Sequence, residues 1–143
     1  MDLYEKIIEY AQQGYHCSQI IMQLALETAG KEEPELVRAL GGLGGGIGYT
    51  GDTCGCLTGG ACTISYFLGK EAPDIPETQT NKEALRELVS WFKEELGPEI
   101  GGSVCTDICH LDRAMIIQKC PEIIGSTYEK CMDILIDKGA VEA

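Results

Sequence analysis

The chain has 143 residues, 44% of them hydrophobic and 24% charged, so it has the length and apolar content of one domain, residues 1–143. Its 23 acidic and 11 basic side chains give a net charge of -12, which argues against nucleic acid and anionic membranes as partners, because both attract basic surfaces. No apolar run approaches the roughly 20 residues of a membrane helix, and the segment from Met1 to Glu5 lacks the features of a secretory signal, so we expect a cytoplasmic protein.

Helical periodicity dominates the first half of the chain. We predict helices over 3–14, about 18–30, 34–40 and 57–68, the last of them mostly apolar and buried. Between the third and fourth helices lies the segment 41–48, in which six of the eight residues are glycine. Helix interiors disfavour glycine, so this segment is predicted to be a loop.

A connector at 73–76, with a proline at each end, begins the second half. The amphipathic pattern of 81–96 then predicts a surface helix that Gly97-Pro98 stops.

Two further helices are predicted near the C-terminus. The first is short and starts near Ser103 or Cys105. The second opens at Cys120-Pro121, with proline at the favoured first helical position, and ends at Gly139. The fold class is therefore predicted to be all-α, a single compact domain of about five to seven helices with a glycine-rich loop before a buried central helix.

The cysteine content points to sulfur chemistry. Eight cysteines without a secretory signal favour metal binding or redox work over structural disulfides. The alternative is that free cysteines are small core residues. Five of the cysteines fall at predicted helix starts, where free N–H groups and the helix dipole stabilise a thiolate. These are Cys17, Cys54, Cys56, Cys105 and Cys120.

The other cysteines have weaker signals. Cys62 and Cys131 lie on apolar helix faces and are predicted to be buried core residues away from the site. Cys109 would share a face with Cys105 if that segment is helical. His16, next to Cys17, is either a reserve ligand or a partly exposed polar residue.

Motif spacing does not identify a metal. No zinc-type C-x-x-C pair and no ferredoxin run is present. The C-x-C of Cys54 and Cys56 is a weak metal signal, and 105–110 misses the haem attachment pattern by one residue. Residues 46–51 fit G-x-G-x-x-G, but they lack the strand and the acidic residue of a dinucleotide site. We interpret the glycines as allowing close backbone approach or left-handed turns beside Cys54.

Five parts of the chain carry a resemblance to a known family: 14–19 (GYHCSQ), the glycine run, 53–60 (TCGCLTGG), 102–105 (GSVC) and Cys120. Together they resemble the C-GCAxxG-C-C family, over nearly the whole chain. Four cysteines define the family, which is named for its motif rather than for a known reaction. The matching positions here are Cys17, Cys54 or Cys56, Cys105 and Cys120, and we favour Cys54 because Thr-Cys-Gly followed by x-x-x-Gly resembles the commoner form.

The resemblance implies redox, cluster or metal chemistry. A related domain occurs in split-Soret cytochromes c, haem proteins that also carry an iron–sulfur cluster. By similarity, this chain would hold such a cluster without the haem-binding extension. The expected cofactor is therefore an iron–sulfur cluster of unspecified type, with ligands from Cys17, Cys54, Cys105 and Cys120.

Cys56, Cys109 and His16 are reserve ligands in this hypothesis. The N–H groups of the glycine run would reach the cluster sulfides and tune the potential. The role would be electron transfer or cluster-based redox chemistry. We expect a redox partner protein with a basic docking face. The sequence does not decide whether the protein is a homodimer.

Two alternatives remain. In the first, the same cysteines act in pairs, and the protein is a thiol–disulfide oxidoreductase or redox sensor without metal. In the second, the thiolates form a closed, non-catalytic site for zinc or another soft metal. The sequence leaves open whether the protein is an enzyme.

Overall fold

The structure is a computed structural model that describes residues 1–142, and it is all-α, as predicted. Six helices have seven residues or more, within the predicted range, and the other segments are shorter turns. In chain order the helical segments are α1 (Leu3–Gln12), α2 (Cys17–Thr28), α3 (Pro34–Leu40), α4 (Gly44–Ile47), α5 (Gly55–Leu68), α6 (Gln79–Trp91), α7 (Gly97–Ile100), α8 (Cys105–Cys109) and α9 (Arg113–Asp137).

Helix α5 occupies the centre of the fold and packs on α2, α6 and α9. Its contact with α2 is unusually close, because a Cβ on Gly59 would lie 2.6 Å from the Cα of Ser18. Ser18 is fully buried at this crossing, and its hydroxyl donates a hydrogen bond of 2.7 Å to the carbonyl of Leu40. The core around α5 is built from large buried side chains such as Ile64, Leu88 and Phe92.

The prediction for the last helix is wrong at its start. Helix α9 begins at Arg113, and the carboxylate of Asp112 caps it by accepting hydrogen bonds from the N–H groups of Ala114 and Met115. Pro121 therefore lies inside the helix, and Cys120 does not lie at a helix start. Proline removes only one backbone donor, and its buried ring packs against the core, so the helix continues through it.

The predicted stop at Gly97-Pro98 is also wrong. Helix α6 continues through a π-helical turn at Phe92–Leu96 into α7, and the chain leaves the helix at Gly101 with a φ of 107°. Pro98 lies in the first turn of α7, where its missing N–H costs nothing.

Among the helices described for residues 1–142, none combines the length and the apolar composition required to cross a membrane. The same residues contain no strand, and one antiparallel β-bridge pairs Thr53 with Val104.

We expect the Gly59→Ala substitution to lower the free energy of unfolding by about 1–3 kcal/mol, because the new methyl group would overlap the backbone of Ser18. Gly125→Ala is the matched control, because a Cβ there meets only the end of the Ile7 side chain at 3.5 Å. In the interior of α9 the control should gain about 0.5–1 kcal/mol. Urea unfolding measures both changes, and equal effects would contradict the close α2–α5 crossing.

Candidate functional site

Six of the eight cysteines converge where α2, α5 and α8 begin beside α9. They lie close enough that their charged forms affect one another's ionisation. The six are Cys17, Cys54, Cys56, Cys105, Cys109 and Cys120. All eight cysteines of the chain are free thiols. The four cysteines of the predicted ligand set therefore share one region of the fold, although more than 100 residues separate Cys17 from Cys120.

A pair of backbone hydrogen bonds brings the two middle segments together. The N–H of Cys54 donates to the carbonyl of Ser103 at 2.8 Å, and the N–H of Cys105 donates to the carbonyl of Asp52 at 2.7 Å. These bonds flank the bridge between Thr53 and Val104. Sequence analysis found no strand pairing here, because a single bridge leaves no periodic signal.

Glycines allow the backbone to approach the cysteines. A Cβ on Gly55 would lie 2.6 Å from Sγ of Cys17, and a Cβ on Gly46 would lie 2.8 Å from Cβ of Cys105. Gly45 and Gly46 also adopt left-handed φ values of 63° and 72°. Both parts of the interpretation, close approach and left-handed turns, are therefore confirmed.

Backbone hydrogen bonds close the end of this loop. The N–H groups of residues 48–52 all donate to carbonyls of residues 42–47, such as Gly51 to Gly45 at 3.1 Å and Asp52 to Gly46 at 3.0 Å. These five amides are thus already paired within the loop.

Cys54 has a thiol whose pKa is lowered. It occupies the N-cap position of α5. Hydrogen bonding from the Cys56 thiol lowers the pKa of Cys54 to about 7, with help from the N–H groups of Cys56 and Leu57 and against the opposing effect of burial. A substantial fraction of Cys54 is therefore thiolate at neutral pH, which makes it a nucleophile and a soft-metal donor.

The surrounding thiols resist ionisation. Hydrogen bonding to Cys17 and Cys54, followed by burial, raises the pKa of Cys56 well above its usual range. Burial and then the neighbouring Cys109 thiol raise the pKa of Cys105 to about 12.

Cys120 was chosen as a ligand candidate because a helix start would stabilise its thiolate, and this reason does not hold. It lies inside α9, so no helix start stabilises its thiolate. Burial, and then the charges of four nearby cysteines with Cys17 first, raise its pKa. It lies near enough to the other cysteines to sense their charges, and its predicted N-cap placement is wrong.

Cys105 and Cys109 form a close pair within α8. Their sulfurs lie 3.6 Å apart, and the Cys109 thiol also contacts the Cys105 carbonyl at 3.3 Å. The shared helical face expected for these residues is therefore confirmed.

His16 is held by a residue that the sequence analysis did not select. Its Nδ1 lies 2.9 Å from the Tyr49 hydroxyl, and its ring packs against Gly44. Tyr49 has a left-handed φ of 61°, and a Cβ on Gly45 would lie 2.7 Å from Cγ of its ring. The sequence feature that could have indicated this contact is Tyr49 itself, an aromatic residue among glycines.

Cys62 and Cys131 lie outside the cluster. Cys131 is fully buried against Gly60, as predicted. It is eleven residues beyond Cys120 on α9, about 16 Å along the helix. The prediction of burial is wrong for Cys62, which is exposed, because the buried face of α5 passes through Gly59, Thr63 and Ile64.

No group of three or more His, Cys, Asp or Glu side chains within residues 1–142 is arranged to hold a single metal ion. The geometry instead offers one thiol with a lowered pKa, Cys54, near three thiols with raised pKa values, Cys56, Cys105 and Cys120. Such a group can exchange disulfides or bond to soft metals once further thiols lose their protons.

A family model described as "Putative redox-active protein (C_GCAxxG_C_C)" matches residues 15–134, so the chain belongs to this family. The matched range contains all six clustered cysteines. No curated protein and no solved structure matches the chain. The family description agrees with the class of chemistry that the cysteines predict.

We expect the ultraviolet absorbance of thiolates to reveal one thiol that titrates near pH 7 and is missing in Cys54→Ser. Cys56→Ala should raise this apparent pKa towards the ordinary value of about 8.5, because it removes the main hydrogen-bond donor. Cys56→Ser keeps a hydrogen-bond donor at this position, so the pKa of Cys54 should stay lower in this variant than in Cys56→Ala. A wild-type protein without a thiolate near neutrality would contradict this description of the site.

Proposed function

We propose that the protein is a cysteine-based redox protein that binds an iron–sulfur cluster through Cys17, Cys54, Cys105 and Cys120. The observation that carries this proposal is the convergence of six thiols from four separate helices. When bound, an iron–sulfur cluster supplies one-electron transfer at a potential that its protein surroundings set.

The chemistry of the four proposed cysteine ligands fits an iron–sulfur cluster. Thiolate is the ligand that iron–sulfur clusters require. The pKa values of Cys56, Cys105 and Cys120 are raised by burial and by neighbouring cysteines, and no cationic side chain contributes to any of the three shifts. Several thiolates in this volume would repel one another, and a cationic metal centre would offset that repulsion.

Each cysteine of the set has a distinct local role. Cys54 carries a thiolate near neutral pH and is the first donor. Cys17, at the first position of α2, contacts Gly55, and Cys105 is held through its N–H by Asp52. Cys120 closes the set from α9.

The reserve ligands are placed less favourably for this role. Cys56 is fully buried and donates to its neighbours, and Cys109 contacts Cys105. Nδ1 of His16 is engaged by Tyr49. We therefore retain the predicted four as the ligands.

The proposed role is electron transfer with a protein partner. The net charge of -12 would steer the chain towards a basic docking face. Three exposed apolar side chains lie on the two loops beside the cysteines, namely Ile47, Tyr49 and Leu111. Eight free thiols suit a reducing compartment, and we place the protein in the cytoplasm on this ground.

A second candidate function is thiol–disulfide exchange without metal. It is favoured by the pKa of about 7 of Cys54, which suits an attacking thiol. Cys56, its hydrogen-bond donor, would then be the resolving thiol.

Anaerobic purification, followed by reconstitution with ferrous iron and sulfide, tests the proposal. The wild type should become brown and contain iron and acid-labile sulfide. Cys54→Ser, Cys105→Ser and Cys120→Ser should lose most of the absorption, because a hydroxyl rarely ionises and binds iron poorly. A colourless, iron-free wild type after reconstitution would overturn the cluster, and stoichiometric zinc would indicate a closed zinc site instead.

Cys131→Ser is the matched control on α9 for Cys120→Ser. It should keep the full spectrum and lose about 1–3 kcal/mol of stability if its buried hydroxyl is poorly paired. Loss of colour in both variants would show that the effect comes from the fold and not from ligation. If the wild type stays colourless and its cysteines oxidise and reduce reversibly in pairs that include Cys54, thiol exchange becomes the favoured function.

A further inference from the structure

Cys109 is left over when the four cysteines of the family motif are assigned to Cys17, Cys54, Cys105 and Cys120, yet it lies against Cys105. We propose that these two cysteines form a reversible disulfide within α8 and that its formation removes Cys105 from the shared site. The disulfide itself is independent of the proposed cluster, whereas its effect on loading rests on the proposed function.

The sulfurs of Cys105 and Cys109 already lie close together in the folded protein. They lie 3.6 Å apart in the free-thiol state. A disulfide bond of about 2.05 Å requires them to approach by about 1.5 Å. In a regular helix, side chains four residues apart have Cβ atoms about 5–6 Å apart, and a disulfide requires about 3.5–4.5 Å. Closure therefore needs a local distortion of α8.

Helix α8 is suited to such a distortion. It has five residues, too few to be stable by itself. His110 and Leu111, which follow it, have left-handed φ values of 55° and 54°. Each such residue carries a conformational cost of about 1–2 kcal/mol. Rearrangement at this end of α8 can release part of that cost.

The reaction needs a two-electron oxidant, and we assign this role to a small-molecule disulfide. Both cysteines are buried, Cys105 at 8% exposure and Cys109 at 1%, so the oxidant reaches Cys105 first. The Cys105 thiol loses its proton and attacks one sulfur of the oxidant, which releases one thiolate, and its pKa of about 12 makes this first step slow at neutral pH. The Cys109 thiolate then attacks the sulfur of Cys105 in the mixed disulfide and releases the second. Two electrons pass from the protein pair to the oxidant, and the two protons lost by the pair end on the two released thiols.

The consequence for the site is direct. A sulfur in a disulfide has no thiolate charge to donate to iron. Cys105 would thus be available as a ligand under reducing conditions and unavailable after oxidation, which couples cluster loading to the thiol redox state.

The chain allows a sharp mass-spectrometric test with oxidised glutathione as the probe. Trypsin cleavage after Lys93 and Arg113 gives peptide 94–113, which contains Cys105 and Cys109 and no other cysteine. After anaerobic oxidation of the metal-free protein and blocking with N-ethylmaleimide, most of this peptide should carry no label and be lighter than the dithiol form by two hydrogens. Peptide 94–113 with two labels, or with glutathione attached, would overturn the disulfide.

Cys109→Ser tests the order of the two exchange steps. Serine can keep the hydrogen bond to the Cys105 carbonyl, but it cannot resolve the mixed disulfide. We expect peptide 94–113 of the oxidised variant to carry one glutathione, and we expect oxidation before reconstitution to lower iron loading of the wild type at least fivefold. A wild type that loads iron within twofold of its reduced control, although peptide 94–113 is closed, would overturn the proposed coupling. A wild type that never binds iron would refute the cluster and the coupling, while the peptide result would still decide the disulfide.

Discussion

Direct contact between glycine backbone and cysteine side chains is the constraint on which the rest of the site depends. Gly55 touches the sulfur of Cys17, and Gly46 touches the side chain of Cys105. Any side chain at either glycine would displace a cysteine from its present position. Because the same loop is tied to residues 103–105 by backbone hydrogen bonds, α2, α5 and α8 can all begin at one point in space.

Crowding of this kind has an electrostatic consequence. One thiol, Cys54, ionises readily because donors surround its sulfur, and its charge then makes ionisation of its neighbours less favourable. The protonated neighbours in turn supply hydrogen bonds to Cys54. The site is therefore asymmetric: the pKa of Cys54 is lowered, whereas ionisation of Cys56, Cys105 and Cys120 requires either a cation or high pH. The proposed thiol exchange at Cys54 and the proposed metal binding by the group both rest on this arrangement.

The sequence predicted the parts of the fold that local signals determine. Helices α1, α2, α3 and α5 follow apolar periodicity, and the glycine run correctly indicated irregular backbone beside Cys54. At α9 two start signals compete, since Cys120-Pro121 resembles a helix start while Asp112 caps the true one. Proline inside a helix is rare, so local rules favour the wrong site, and only burial of Pro121 against the rest of the fold resolves the conflict.

Sequence reasoning could name candidate residues of the site, but it could not give their arrangement in space. Periodicity places Cys105 and Cys109 on one face, but it gives no information on the bridge between Thr53 and Val104, which joins segments about 50 residues apart. Among residues 1–142, four non-glycine residues have positive φ, and they belong to the two loops that flank the cysteines: Ile47, Tyr49, His110 and Leu111. A sequence that favoured only stability would place glycine or asparagine at such positions. Because backbone strain of this kind concentrates at functional sites, its location supports a role for these loops in the chemistry of the cysteines, beyond their role in closing the fold.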